Sequence, residues 1–250
     1  MSGLRSCREL RELELYENCV CCIEGLDGLV KLATLDLSYN RIQRMEGLGA
    51  AGLPSLRELY LANNRISAIE GLEGLDRLEV LELGSNQLRR IANLRHLGAL
   101  RELHLGRNDI DLIGEGLAGL ASLRTLGLAS NRLRSLQGVE AAVGLRELYA
   151  DHNMIDDTAP ILGLSQLHTV ELSANRLRSI QVAPLSLLEE LWLSDNPIDD
   201  AAALADVAVL PRLKTLYLSG CPFALTADYR ASVLGLAPST LVQLDADSLR

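Results

Sequence analysis

A chain of 250 residues that is 48% apolar is long enough to bury a continuous core, and its net charge of −9 excludes an electrostatic grip on a nucleic-acid backbone or an anionic membrane surface. Leucine is by far the commonest apolar residue and only 3% of the chain is aromatic, which suits narrow stacked layers better than an irregular interior. Five cysteines (Cys7, Cys19, Cys21, Cys22, Cys221), odd in number and without the two CxxC pairs of a zinc ribbon, indicate neither a disulfide framework nor such a ribbon and read as filler in a reducing compartment.

Met1 is followed by Ser2, Gly3 and the charged Arg5, Arg8 and Glu9, with no apolar leader region. No stretch approaches the roughly 18 uninterrupted apolar residues of a membrane span, so a soluble protein of the cytoplasm, the nucleus or both is expected. Residues 1–9 form a thin N-terminal edge. From Leu10 the phrase LxxLxLxxNxL then recurs ten times, starting at Leu10, Leu32, Leu56, Leu78, Leu100, Leu123, Leu145, Leu167, Leu188 and Leu213. Each LxL predicts a short strand with its leucines turned inward. The asparagine that follows (Asn18, Asn40, Asn64, Asn86, Asn108, Asn131, Asn153, Asn175, Asn196) predicts a ladder of bonds to the backbone of neighbouring turns, with Cys221 in its place in the tenth copy.

The copies are spaced by 21 to 25 residues, too few for a long helix after every strand. Ile66, Ile69, Leu72 and Leu75 step every three residues, which predicts short 3₁₀ pieces on the outer curve, and Gly25, Gly47, Gly71 and Gly74 fall at its turns. One copy cannot bury its own apolar side, so residues 10–223 are expected to stack as a single array without an internal boundary. Residues 224–250 read as a cap: a helix from about Thr226 to Leu236 stopped before Pro238, with Leu241 and Leu244 returning to cover the last strand.

Side chains alternate along a strand, so the third, fifth and seventh positions of each phrase face the hollow of the arc. Those thirty positions hold ten carboxylates (Glu12, Glu14, Asp36, Glu58, Glu82, Glu102, Glu147, Asp151, Glu171, Glu190) and no lysine or arginine. Random placement of 24 bases and 33 acids would put about three and about four there, so charge is sorted by face. Arg41, Arg65, Arg132 and Arg176 sit beside the face, just after the asparagine. Five of the eight aromatics (Tyr16, Tyr60, Tyr149, Trp192, Tyr217) lie on it, and an exposed tryptophan among carboxylates is the composition of an interface hot spot. The third-position glutamates are commonplace in such a phrase and read as solvated surface; fifth-position Asp36, Tyr60, Glu82, His104, Glu171, Trp192 and Tyr217 read as contacts.

Catalytic signatures are not found. His96, His104, His152 and His168 are scattered over different repeats, with no HExxH, GxSxG or phosphate-cradling glycine loop. Asp151 and His152 adjoin, and in a strand they would face opposite sides. No enzyme activity, cofactor or metal is expected.

The phrases LRELELYEN, LELGSN, SNRL followed by LRELY and HN, and LEELWLSDN resemble, in the same order, the 22-residue leucine-rich-repeat regulatory subunits of protein phosphatase 1. The ending YRASVLGLAPSTLVQLDA, Tyr229 to Ala246, resembles their C-terminal cap, which axonemal dynein light chain 1 and other intracellular relatives share. The resemblance implies an α/β solenoid: a right-handed leucine-rich-repeat superhelix of about ten repeats, with a parallel concave sheet, short 3₁₀ convex segments and a helical cap. It implies a non-catalytic subunit that holds the phosphatase catalytic subunit with concave acids and rings, matched here by Asp36, Tyr60, Glu82, His104, Glu171, Glu190, Trp192 and Tyr217; Tyr149 joins them as a concave aromatic. Tyr60 and His104 stand where that family has phenylalanine and Glu171 where it has aspartate, and about two N-terminal repeats and a disordered extension are missing. The alternative is an adaptor of the cilium or cytoskeleton that uses the same fold for another protein.

Overall fold

The computed structural model describes residues 4, 7–50 and 52–249. Ten three-residue strands come from the ten phrases: β1 Glu12–Glu14, β2 Thr34–Asp36, β3 Glu58–Tyr60, β4 Val80–Glu82, β5 Glu102–His104, β6 Thr125–Gly127, β7 Glu147–Tyr149, β8 Thr169–Glu171, β9 Glu190–Trp192 and β10 Thr215–Tyr217. They pair in sequence order as one parallel sheet that β11 (Gln243–Leu244) extends, and β12 (Asp247–Ser248) closes it antiparallel. Register is constant: Leu13, Leu35, Leu59, Leu81, Leu103, Leu126, Leu148, Val170, Leu191 and Leu216 line up across the sheet. A one-residue slip in any copy would turn its inward leucines to water, which is why so short a strand keeps its place. From Leu35 onward these central residues are buried behind the sheet.

The asparagine ladder is the polar half of the core. Asn40 donates from Nδ2 to the carbonyls of Leu15, Leu37 and Ser38 at 2.8 to 3.1 Å, and its Oδ1 accepts the Val20 N–H at 2.9 Å. Asn64, Asn86, Asn108, Asn131, Asn153, Asn175 and Asn196 repeat the pattern one turn further each time. Cys221, in the tenth repeat, keeps a single bond of this set, Sγ to the Leu193 carbonyl at 3.3 Å. The residue before each asparagine adopts the left-handed conformation with φ between 52° and 57° (Glu17, Tyr39, Asn63, Ser85, Arg107, Ser130, His152, Ala174, Asp195 at 56°), and Gly220 does so in the tenth. That turn ends the strand and swings the asparagine back under it.

The outer curve carries the short 3₁₀ pieces expected of it, though not at every repeat. Among the described residues, 3₁₀ segments form at Val139–Ala141, Ala159–Ile161, Ala202–Val209 and Pro222–Leu225, and a short helix, α1, at Gly47–Ala50. Ile66, Ile69, Leu72 and Leu75 are buried as their spacing demands, yet they lie in irregular chain between bends and turns rather than in a 3₁₀ helix. An open left-handed chain also repeats every three residues, so the period alone does not choose between them. Gly71 is required where it stands: φ is +69°, and a Cβ there would sit 2.6 Å from the Met45 carbonyl oxygen of the repeat before.

The cap helix α2 runs Tyr229–Leu236, three residues shorter at its start than the spacing predicts, because Thr226 is extended and bonds back to the Phe223 carbonyl at 2.9 Å. Leu241 and Leu244 return to cover β10 and are buried. Asp245 ties the closure together, accepting the Leu218 and Ser219 N–H groups at 2.7 and 2.8 Å and the Tyr229 hydroxyl at 2.7 Å. Burial, then that carboxylate, drive the Tyr229 phenol far above its ordinary pKa. Removing the hydroxyl (Tyr229→Phe) is expected to cost about 1.5 kcal/mol in urea denaturation, the scale of a bond to a charged acceptor; an unchanged midpoint would show that the ring alone holds the cap.

Candidate functional site

Constant register turns the fifth position of the repeat into a row. Glu14, Asp36, Tyr60, Glu82, His104, Gly127, Tyr149, Glu171, Trp192 and Tyr217 are successive neighbours across the sheet. The structure therefore brings eight of the nine expected contact residues into one line on the concave face, and Glu190 stands beside it in the third-position row. That second row alternates without exception: Glu12, Thr34, Glu58, Val80, Glu102, Thr125, Glu147, Thr169, Glu190, Thr215. Every second strand carries the acid, so third-position carboxylates lie about 10 Å apart rather than on adjacent strands, where like charges repel. Thr34 and Thr125 donate to the next repeat's Glu58 and Glu147 at 3.3 Å, and the Tyr60 and Tyr149 hydroxyls donate to the same two carboxylates at 3.3 Å.

Three fifth-position acids share one local bond. Asp36 Oδ1, Glu82 Oε1 and Glu171 Oε1 each accept the backbone N–H two residues on, from Ser38, Gly84 and Ser173, at 2.8, 2.5 and 2.8 Å. The bond holds these carboxylates against the sheet, and Glu171 is only 7% exposed. Burial pushes both Glu82 and Glu171 above the usual carboxylate range, against the opposing pull of those amides. A carboxyl raised in the folded state takes up its proton before the unfolded chain does, so its contribution to stability is full at low pH and is lost as pH rises through the folded pKa. Glu9 and Glu189 are shifted the other way by Lys31 and Lys214, so the comparison that isolates the effect is with Glu82→Gln/Glu171→Gln. Acidification from neutral towards about pH 4.3 is expected to stabilise the wild type relative to that variant in urea denaturation.

The row is broken at Gly127. Around it Ala62, Gly84, Gly106 and Ala129 leave the seventh position almost bare, and a hollow of about 600 Å³ opens with Glu82, His104, Arg107, Tyr149 and Asp151 as walls. A Cβ on Gly127 would come 3.2 Å from His104 Nδ1. This floor was legible in the run of alanine and glycine at the seventh position of repeats three to six, a signal that attention to charged and aromatic residues passes over. At the hollow's lip the expectation for Asp151 and His152 needs correcting: their side chains meet, Nδ1 to Oδ2 at 2.8 Å. Alternation no longer applies there because β7 has ended and His152 is left-handed, φ +53°.

Trp192 lies at the C-terminal end of the row, 37% exposed, with its ring 5.2 Å from that of Tyr217 at a tilt of 47°. Tyr217 is held in turn by Gln243 of the cap, 2.5 Å from its hydroxyl. Apart from Arg107 in the wall of the hollow, the arginines named here stay off the face: Arg41, Arg65, Arg132 and Arg176 are exposed along one flank, and Arg57, Glu79 and Arg101 form an ion-pair ladder along the other. Cys7, Cys19, Cys21 and Cys22 are exposed and unpaired thiols near the N-terminal end. No helix among the described residues is long and apolar enough to cross a membrane.

A family profile for the leucine rich repeat matches residues 30–88 and 54–110. The fold is a parallel-sheet solenoid of the leucine-rich-repeat type. No curated protein matches it. Among solved structures, internalin C2 of Listeria monocytogenes is 28% identical over 75% of this chain and 82% of its own, with a TM-score of 0.65. A leucine-rich-repeat protein of Leptospira interrogans is 24% identical, covering 94% of this chain and 66% of that one, TM-score 0.73. The functional domain of InlJ from Listeria monocytogenes is 21% identical, and this chain spans 60% of its length at a TM-score of 0.72. The last two likenesses carry the fold alone.

Proposed function

We propose that this leucine-rich-repeat protein is a non-catalytic binding subunit that docks a basic protein surface on its concave face, and that the surface is that of the protein phosphatase 1 catalytic subunit. The observation that carries the reading is the single row from Asp36 to Tyr217, in which acids and rings of successive repeats share one face with no lysine or arginine among them. Clustered rings supply buried contact area, and the surrounding acids speed encounter with a positive surface and reject a negative one. The phosphatase is favoured because the resemblance in repeat phrases places its contact positions on this row; a role in the cytoplasm or nucleus goes with it. The hollow at Gly127 leaves room for one projecting side chain of the partner beside Glu82, His104 and Tyr149.

Purified phosphatase catalytic subunit titrated calorimetrically at a series of salt concentrations tests the proposal. Affinity is expected to fall steeply with salt, and to fall again as pH is lowered and Glu82 and Glu171 take up protons. No binding at low salt would reject the phosphatase. Co-purification with axonemal proteins would instead favour the ciliary adaptor.

A further inference from the structure

The residue before each strand forms a further row, on the flank at the N-terminal ends of the strands. From the fourth repeat to the tenth it reads Glu79, Arg101, Arg124, Arg146, His168, Glu189, Lys214. The N–H groups of Arg124, Arg146 and His168 each donate at 2.8 Å to the carbonyl of the row's previous member, so these residues follow one another at the strand spacing of about 4.8 Å. At both ends of this stretch the row alternates in sign: Glu79 pairs with Arg57 and, at 3.6 Å, with Arg101, and Glu189 pairs with Lys214 at 2.6 Å. Between them it does not. Arg101, Arg124, Arg146 and His168 stand on four consecutive repeats, and among the described residues Arg101 alone of the four is in an ion pair.

Like charges on neighbouring strands are destabilising. The third-position row avoids that cost by setting an uncharged residue between its acids, whereas this row keeps its cations together. Arg124 is fixed in place: its Nη1 donates to the Leu123 and Gly144 carbonyls at 2.9 and 3.2 Å, and a Cβ on Gly144 would collide with that nitrogen. The turns before the four residues, at 98–99, 121–122, 143–144 and 165–166, are uncharged, and Val143 in one of them is 66% exposed. Glu102 and Glu147, next in the chain, face the hollow by alternation and are bonded there, Glu102 to His104 and Glu147 to Thr125 and Tyr149.

We propose that the flank beside β5–β8 is a second docking surface, separate from the concave row, which takes a short, extended, acidic segment of a partner protein. Charge complementarity names the occupant. Its length is set by the row: three strand spacings put about 14 Å between Arg101 and His168, which about four extended residues span. Glu79 and Glu189 stand at the two ends and repel a longer run of acids. A nucleic-acid strand meets the same limit, since its charge continues past both ends onto a molecule of net charge −9. Val143 gives one apolar side chain of the segment a place to rest beside Arg146.

The full chain is tested by NMR titration with two capped tetrapeptides, Glu–Asp–Glu–Asp and Lys–Arg–Lys–Arg. The acidic peptide is expected to shift the amide signals of Arg101, Arg124, Arg146 and His168, and the basic peptide to leave those unchanged. Arg101→Gln/Arg146→Gln, at exposed positions that leave the core intact, should weaken the acidic peptide about fivefold or more, with a retained circular dichroism spectrum as the folding control. Arg101→Glu/Arg146→Glu should turn the preference of the flank to the basic peptide. Equal shifts with both peptides, no shift with the acidic one, or unchanged affinity in the glutamine variant overturns the proposal. So does tighter binding of a thymidine oligonucleotide of the same charge, which would make a nucleic acid the occupant. A concentration-dependent dimer of the wild type in sedimentation that the glutamine variant lacks overturns it as well, in favour of a second copy of this chain.

Discussion

Asn108→Ala is expected to lower the unfolding free energy by about 3 kcal/mol or more. Asn108 is 8% exposed and sits mid-array. Its Nδ2 donates to the carbonyls of Leu83, Leu105 and Gly106 at 3.0, 3.0 and 3.3 Å, and its Oδ1 accepts the Leu88 N–H at 2.9 Å. Alanine cannot replace these bonds, and each backbone group stranded in a buried corner costs about 1 to 3 kcal/mol. The break also falls between neighbours whose stacking is what stabilises a one-dimensional array, so the transition should broaden as the two halves uncouple. Urea denaturation of Asn108→Ala beside Asn18→Ala is the measurement. Asn18 makes only two bonds, at an exposed end, and its loss should cost under about 1 kcal/mol. Equal losses at the two positions would mean that the ladder is ornament and the leucine layers alone hold the array.

Trp192→Ala is expected to weaken binding of the phosphatase catalytic subunit about thirtyfold or more, equivalent to about 2 kcal/mol, while leaving the unfolding midpoint almost unchanged. The separation of the two effects follows from position. Leu191 beside it is fully buried and belongs to the core, whereas Trp192 projects from the opposite face of the same strand. Its ring meets Tyr217, so Trp192→Ala/Tyr217→Ala should lose less affinity than the sum of the single changes. Calorimetry with each variant checks both statements. Full affinity in Trp192→Ala would move the contact off the C-terminal half of the row. A collapsed midpoint instead would show that the ring supports the fold, and the concave reading would fail with it.

The sorting of residues by face was available before any coordinates, and for a physical reason. A strand of period two and a repeat that copies itself leave no freedom in which side chains point inward once the leucines are placed. Leu35, Leu59 and Leu81 had to be core, and Asp36, Tyr60 and Glu82 had to line the hollow. The cap was legible for the same kind of reason: Pro238 stops a helix, and Leu241 and Leu244 have nowhere to go but over the last strand.

Other features depend on groups far apart in the chain, or on backbone angles to which residue type is a poor guide. Ala174, Arg107 and Tyr39 share one left-handed turn although nothing about alanine, arginine or tyrosine favours it; the asparagine that follows enforces it by bonding back beneath the strand. That turn, invisible in the letters, is what lets Asp151 reach His152. The path of the outer curve was undecided because two backbone conformations share a period of three. What the sequence determined by itself is the repeat, its register and the sign of each face, since these follow from local period and burial. What only the tertiary structure decided is how the row is spaced and where it is broken at Gly127, because those depend on which repeat lies next to which.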